Sequence, residues 1–458
     1  MMTLSEEFLA ALETICSVRQ AEAVAALDAG FYPENLGAGI MALPGSTSEV
    51  RAIVDLCRAH KVTMVPHGGR TGLAGAGASV PGQLIVDVRQ MNKIEDLDPG
   101  TATISVQAGV TLQEVQEACA VHGLTPGIDI AARGSATIGG MISTNAGGME
   151  AFRCGVMRHR VLGLEAVLPG GDVLSDMTRV SKVNEGLDIK HMLIGAEGRL
   201  GIVTRAVLKL DALPRAMSTA LVSFESAAAA VDAFHRLKAG GGLLRAEIMW
   251  RTYAETVAQD VGLEDLIASF AGRLLVLFEH GAATQQDART AQQDGLLALM
   301  ESGAAVHAIV AQNDRQAADF WRIREESWAV ERRWPGGYWY DVSVPLNALD
   351  QYVAELQGCL QRLAADVNFS CMGHLGDGNL HITVSAPNGN QPDKAPVDAA
   401  ICSQLKSMGG SFSAEHGVGL EKMKALSAYG DPAKLAMARL IKQAMDPDNL
   451  MNPGKVLE

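Results

Sequence analysis

The sequence predicts an α+β fold in more than one domain, and three features carry that expectation. At 458 residues the chain is long for a single hydrophobic core. Its 48 glycines gather in clusters, as a backbone that closes around a large ligand requires. From about residue 214 onward, strand-like runs (219–224, 243–249, 273–278, 305–310, 338–344 and 367–372) alternate with helical ones such as 227–238 and 284–300. Helices falling between short strands fit an antiparallel sheet with helices on one face. The domains read from these texture changes are 1–213, 214–395 and a helical C-terminal segment, 396–458.

Composition narrows the function. A hydrophobic content of 48% with 20% charged residues is that of an ordinary globular protein. A net charge of -14 argues against nucleic acid and against an anionic membrane surface, though not against an anionic substrate in a locally cationic pocket. No apolar run reaches membrane-spanning length. The N-terminal stretch is acidic and amphipathic, with neither a secretory apolar core nor an Arg-rich transit pattern. The seven cysteines are scattered with no CxxC, which fits reduced thiols in a cytoplasm and excludes an iron–sulfur cluster of the usual spacing.

In chain order, Ser46-Thr-Ser-Glu49 forms a capping box for a helix running to about His60, with Val50, Ile53, Val54 and Cys57 as its apolar stripe. A short strand over 62–66 leads into His67-Gly-Gly-Arg-Thr-Gly-Leu-Ala-Gly-Ala-Gly77, whose glycines let backbone N–H groups approach a phosphate. This is neither a Rossmann fingerprint nor a P-loop. Strands at 84–88 and 103–107 and a helix at 112–122 follow. Small and hydroxyl residues then dominate 126–148, as expected where a large flat ligand packs, and 193–203 adds a small-residue turn before a strand ending near Leu210.

The second half holds a potential metal site. In Cys371-Met-Gly-His-Leu-Gly-Asp-Gly-Asn-Leu-His-Ile-Thr-Val384, His374 and His381 flank a Gly-Asp-Gly turn, and the second histidine opens a strand-like run. Ala414-Glu-His-Gly-Val-Gly419 adds a carboxylate, Glu415, and a further imidazole, His416. Two imidazoles and one carboxylate with a position left open make a catalytic zinc set: His374, His381 and Glu415, or another divalent ion on the same ligands. His416 is then available as a base. In Trp321-Arg-Ile-Arg-Glu-Glu-Ser-Trp328, a helical stretch, Arg324 has the planar fork that pairs with a carboxylate.

Taken together, residues 66–77, 126–148 and 195–201, the two histidine motifs and Asn452-Pro-Gly-Lys455 resemble the FAD-linked D-2-hydroxyacid dehydrogenases, in their order along nearly the whole chain. That group contains the D-2-hydroxyglutarate, D-lactate and glycolate dehydrogenases. The resemblance implies a two-part FAD-binding domain of the vanillyl-alcohol-oxidase type, a ferredoxin-like α+β substrate cap, and a C-terminal segment returning to the flavin. It implies that Gly68, Gly69, Thr71 and Gly72 hold the FAD pyrophosphate. Ser135, Gly139, Gly140, Ser143 and Asn145 would line the flavin and its ribityl chain, with Ile202 near the adenine end and Asn452 at the isoalloxazine. Pro66, Arg70, Asp129, Glu197 and Gly201 are further cofactor-binding residues that it implies. His67 is the candidate for a covalent flavin link, although this group generally binds FAD non-covalently. Arg324 matches the group's substrate-carboxylate arginine.

Two positions depart from the hydroxyglutarate-specific pattern. Trp339 stands where those relatives tend to carry a lysine, and Thr383 where they tend to carry an asparagine. Both changes remove groups that would hold a distal carboxylate, and Trp328 lies nearby in sequence. The substrate is therefore expected to be D-2-hydroxyglutarate or D-lactate, or alternatively a D-mandelate-like acid with an apolar or aromatic side chain. The expected reaction is oxidation to the 2-oxoacid: Arg324 clamps the carboxylate, zinc polarises the 2-hydroxyl, His416 removes its proton and hydride leaves C2 for flavin N5. With no NAD fingerprint and no iron–sulfur spacing, electrons must pass to an external acceptor such as an electron-transfer flavoprotein or a quinone. A homodimer is a common arrangement for such a chain. Two other readings compete. A zinc hydrolase with merely structural glycines would purify colourless, and a flavin-carrying subunit of a larger complex would not turn over alone.

Overall fold

The structure, a computed structural model, describes residues 4–387 and 391–457. The chain divides into two compact units. The first comprises Met1–Gly148, Cys154–Leu213 and Glu415–Glu458; the second comprises Met149–Arg153 and Pro214–Ala414.

The first unit holds two main sheets. In one, Ser17–Gln20, Ile40–Leu43, Leu84–Asp87 and Met64–His67 lie in that order, the last three parallel to one another. Parallel strands need crossovers, and helix Thr47–His60 supplies the one between Ile40–Leu43 and Met64–His67. Its stripe of Val50, Ile53, Val54 and Cys57 is buried. Ser46 caps it as the sequence predicts, accepting from the Glu49 amide. The reciprocal bond is displaced by one residue: the Glu49 carboxylate accepts from the Gly45 amide at 2.8 Å. The strand expected from Val62 begins at Met64, because Lys61 closes the helix in a left-handed conformation and the Val62 amide bonds back to Cys57. The other sheet is antiparallel, in the order Ile94–Asp98, Thr103–Gln107, Ile202–Lys209, Val161–Val167 and Val173–Asp176. The C-terminal tail returns to this unit, where Met451 bridges Met64.

The second unit is built on a seven-stranded antiparallel sheet in the order His307–Val310, Ala216–Phe224, Leu274–Ala282, Leu243–Trp250, Asn368–His374, Asn379–Ser385, Tyr338–Ser343. Its first four strands in sequence, with helices Ala227–Gly240 and Gln285–Glu301, form a split βαβ of ferredoxin-like order. The α+β class therefore holds. The sheet is covered on both faces rather than one, since consecutive residues from Leu274 to Phe278 are all buried. Tyr253, Val257, Phe320 and Ile323 pack with Leu275 and Leu277 on one side. Val276 and Phe278, which alternate with those leucines, point to the other. The helical stretch predicted over 321–328 is broken: helix Asp314–Glu325 ends where the Ser327 amide turns back to the Glu325 carbonyl, and a new helix starts at Trp328.

The Gly-Asp-Gly turn joins Asn368–His374 to Asn379–Ser385. Gly378 has φ +73°, and a Cβ there would lie 2.0 Å from the Val344 carbonyl oxygen. Gly378→Ala is expected to cost about 1–3 kcal/mol, read as a lower thermal melting temperature by calorimetry.

Candidate functional site

Strand register assembles a polar face on the second unit's sheet. Residues directly opposite in an antiparallel ladder, and residues two apart on one strand, point the same way. Glu247 is opposite His374, His374 opposite Asn379, Asn379 opposite Ser343, His381 opposite Asp341, and Thr383 opposite Trp339. Both histidines therefore share one face with Glu247, Asn379 and Thr383. Their rings stand 5.4 Å apart at 86°. Arg324 reaches the same group from helix Asp314–Glu325, its backbone carbonyl fixed by the Tyr253 hydroxyl at 2.8 Å. Trp328 packs its ring 6.0 Å from that of Trp339, and the two are 54% and 41% exposed. The Trp339 indole N–H donates to Glu331 at 3.3 Å.

Glu247 is the hub of this face. It is 0% exposed. The Arg324 Nε donates to its Oε2 at 2.7 Å, and the Arg324 terminal nitrogen lies 2.6 Å from the same atom. His374 Nδ1 lies 2.9 and 2.8 Å from its two oxygens. Burial alone would raise this carboxyl; His374 and Arg324 beside it outweigh that and hold it below the ordinary carboxylate range. One edge of the Arg324 fork is thus committed to Glu247. The available signal was a lone acid inside an otherwise apolar run, Ala246-Glu-Ile-Met249.

Asn379 was likewise passed over. It is 2% exposed, and neither its amide nitrogen nor its carbonyl oxygen has a hydrogen-bond partner among the described residues. A buried amide left this way is costly. Two imidazoles, one of them held through Nδ1 by a buried carboxylate, are a donor set that fits zinc.

The first unit brings the glycine segments and the C-terminal tail together. A Cβ on Gly68 would meet Thr137 Oγ1 at 2.2 Å, one on Gly69 the Ser135 carbonyl at 1.9 Å, and one on Gly139 the Ala108 Cβ at 2.7 Å. Thr137 caps helix Ile138–Thr144, which carries Gly139, Gly140 and Ser143. The Glu197 amide donates to the Ser143 carbonyl at 2.8 Å. Gly198 lies against Pro66. Asn452 donates to the carbonyls of Glu197 and Ala76 at 2.7 and 3.0 Å, and accepts from Lys455 at 2.7 Å. Burial lowers the Lys455 ammonium to about 8. Arg70, Asn145, Glu197 and Asn452 adopt left-handed φ of 55°, 56°, 51° and 45°. Such strain gathers at ligand clamps.

Charged residues among the expected cofactor set also have side chains engaged within the protein. Arg70 pairs with the buried Asp87 at 3.0 Å, and Asp129 with Arg133 at 2.7 Å. The Glu197 carboxylate accepts from the amides of Val418 and Gly419 at 2.8 and 2.9 Å, fixing the segment that follows Glu415 and His416. Thr71 and Gly72 stand at the surface end of their loop, and Gly201 and Ile202 open the strand Ile202–Lys209. Buried His67 bonds the Gly77 carbonyl through Nε2 at 2.8 Å, and burial lowers it to about 4, so it is neutral at physiological pH.

Comparison with known proteins agrees with these two constructions. A family model described as FAD linked oxidases, C-terminal domain, matches residues 213–456, and one described as FAD binding domain matches 38–176. The chain is 36% identical over 428 residues to a D-2-hydroxyglutarate dehydrogenase of Xanthomonas citri pv. viticola, covering 91% of this chain and 89% of that one. It is 33% identical to a mitochondrial D-2-hydroxyglutarate dehydrogenase of Arabidopsis thaliana, over 91% of this chain and 75% of the other. In fold it is similar to p-cresol methylhydroxylase (TM-score 0.75, 17% identity, 99% and 97% of the two chains). The 4-ethylphenol oxidase of Gulosibacter chungangensis is similar too (TM-score 0.72, 18% identity, 99% and 98%). Among the described residues no helix is long and apolar enough to cross a membrane. With the oxidase model spanning more than half the chain and relatives aligned along nine-tenths of it, the chain belongs to the FAD-linked oxidase family, in its D-2-hydroxyacid dehydrogenase group, and is an FAD-dependent oxidoreductase.

Proposed function

We propose that this protein oxidises a D-2-hydroxyacid to the 2-oxoacid at the polar face that carries His374, His381 and Arg324, and passes the electrons to an external acceptor such as an electron-transfer flavoprotein or a quinone. The observation that carries the reading is the register that puts both histidines and Glu247 on one sheet face, where the Arg324 side chain reaches Glu247 from its helix. Its support for a third ligand is chain length. Glu415 stands four residues beyond Ser411, a reach of at most about 14 Å. Ser411 pairs with Ser343, in the same row of opposed residues as Asn379 and His374.

Bound FAD supplies the two-electron acceptor, and a divalent cation on His374, His381 and Glu415 supplies a Lewis acid that makes the 2-hydroxyl easier to deprotonate. Arg324 pairs with the C1 carboxylate and fixes the acid's orientation. His416 takes the hydroxyl proton as the C2–H bond breaks. The backbone of 68–72 and 139–145, with Asn452, would hold the cofactor.

D-2-hydroxyglutarate is the substrate named for the relatives, and is the first candidate. A second reading rests on Trp339 and Thr383, which stand where the hydroxyglutarate-specific pattern carries a lysine and an asparagine; with Trp328 packed near Trp339, they favour an apolar or aromatic side chain.

The test is anaerobic mixing of the zinc-supplemented protein with D-2-hydroxyglutarate, D-lactate, D-malate and D-mandelate, with L-enantiomers as controls. One D-acid should bleach the visible flavin band. A yellow protein that no D-acid bleaches would leave the carrier-subunit reading, and a colourless one the hydrolase. His416→Ala is expected to keep its flavin and slow reduction roughly 10²- to 10⁴-fold in stopped flow. Gly69→Ala should lower the flavin content of the purified protein, read from the ratio of visible to protein absorbance, because the Ser135 carbonyl stands 1.9 Å from the new Cβ. If the second reading holds, Trp339→Lys with Thr383→Asn raises kcat/KM for D-2-hydroxyglutarate by roughly 10-fold or more, the worth of one hydrogen bond to a charged group.

A further inference from the structure

We propose that Glu247 is the positioning residue of the metal centre, holding the His374 ring by its Nδ1–H so that Nε2 is the nitrogen offered to the cation. The inference rests on the metal role proposed above for His374 and His381.

Three observations carry it. Glu247 and His374 are opposed across neighbouring strands, so the contact is built by sheet register and does not depend on a flexible loop. His374 Nδ1 lies within hydrogen-bond distance of both carboxylate oxygens, at 2.9 and 2.8 Å. A carboxylate accepts only, so Nδ1 carries a proton, and in the neutral ring that binds a cation the lone pair is then on Nε2, at the far side of the ring. The same carboxylate takes Arg324 at 2.7 Å, so one group aligns both a metal ligand and the proposed substrate clamp. Fixing a ligating histidine through its second nitrogen holds ring orientation and raises ligand basicity, and losing such a partner typically costs 10- to 100-fold in metal affinity.

The plainer role for a fully buried acid is to neutralise Arg324. The two roles separate in Glu247→Asp. The shorter carboxylate retreats from His374, whose backbone is fixed in a strand, while the long side chain of Arg324 can follow it. The experiment is zinc binding by chelator competition on the flavin-loaded wild type and Glu247→Asp, with flavin absorbance reporting that the protein is folded. A positioning role predicts zinc affinity lower by roughly 10- to 100-fold in the variant; unchanged affinity overturns it. Should the variant fail to fold, a zinc-soaked crystal of the wild type decides the matter by anomalous scattering. Zinc on Nε2 of His374 supports the proposal, and zinc on Nδ1 overturns it. A wild type that takes no zinc at all removes the metal reading itself, whereas a loaded wild type matched by Glu247→Asp removes only the role of Glu247.

Discussion

A carboxylate with no exposed surface is tolerated only when its charge is balanced and its lone pairs are used, and Glu247 meets that condition through Arg324 and His374. The arrangement of the second unit's polar face follows from it. Arg324 is drawn inward from a helix whose other buried residues, Phe320 and Ile323, pack in the apolar core. His374 is held through one edge of its ring. Because the strands fix the spacing, the next positions along the same face fall to Asn379, His381 and Thr383, and across from them to Asp341 and Trp339. A one-residue slip of any of these strands would send this set to the opposite face.

The first unit solves a different problem by different means. It brings four separated pieces of chain (66–77, 135–145, 195–202 and 450–456) together through backbone contacts, with few charged side chains between them. Glycines permit approaches that any Cβ would prevent. Arg70, Asn145, Glu197 and Asn452 bear left-handed conformations that cost of order 1–3 kcal/mol each. Their surroundings hold them there: Arg70 by Asp87, Asn145 by the Arg158 amide, Asn452 by two carbonyls and Lys455.

Much of this was legible in the residues. The helix ending at His60, the strand Thr103–Gln107, the alternation of strands and helices beyond 214 and the hairpin of His374 and His381 all follow local rules of periodicity and turn chemistry. Where those rules missed, a specific interaction had intervened. The Glu49 carboxylate found the Gly45 amide, and the amide of Val62 went to a helix cap before a strand could begin. The broken helix at Glu325 and the second helical layer on the sheet left no periodic signal.

By itself the sequence determined the α+β class, the clustering of the glycines and the hairpin that carries both histidines, because each is written in neighbouring residues. Only the tertiary structure decided that Glu247 stands against His374, that Asn379 is buried with its amide unsatisfied, and that the carboxylate of Glu197 serves the backbone of Val418 and Gly419. These pairings join residues more than a hundred positions apart or depend on which way a strand faces. Register and burial are properties of the packed sheet, and no window of sequence contains them.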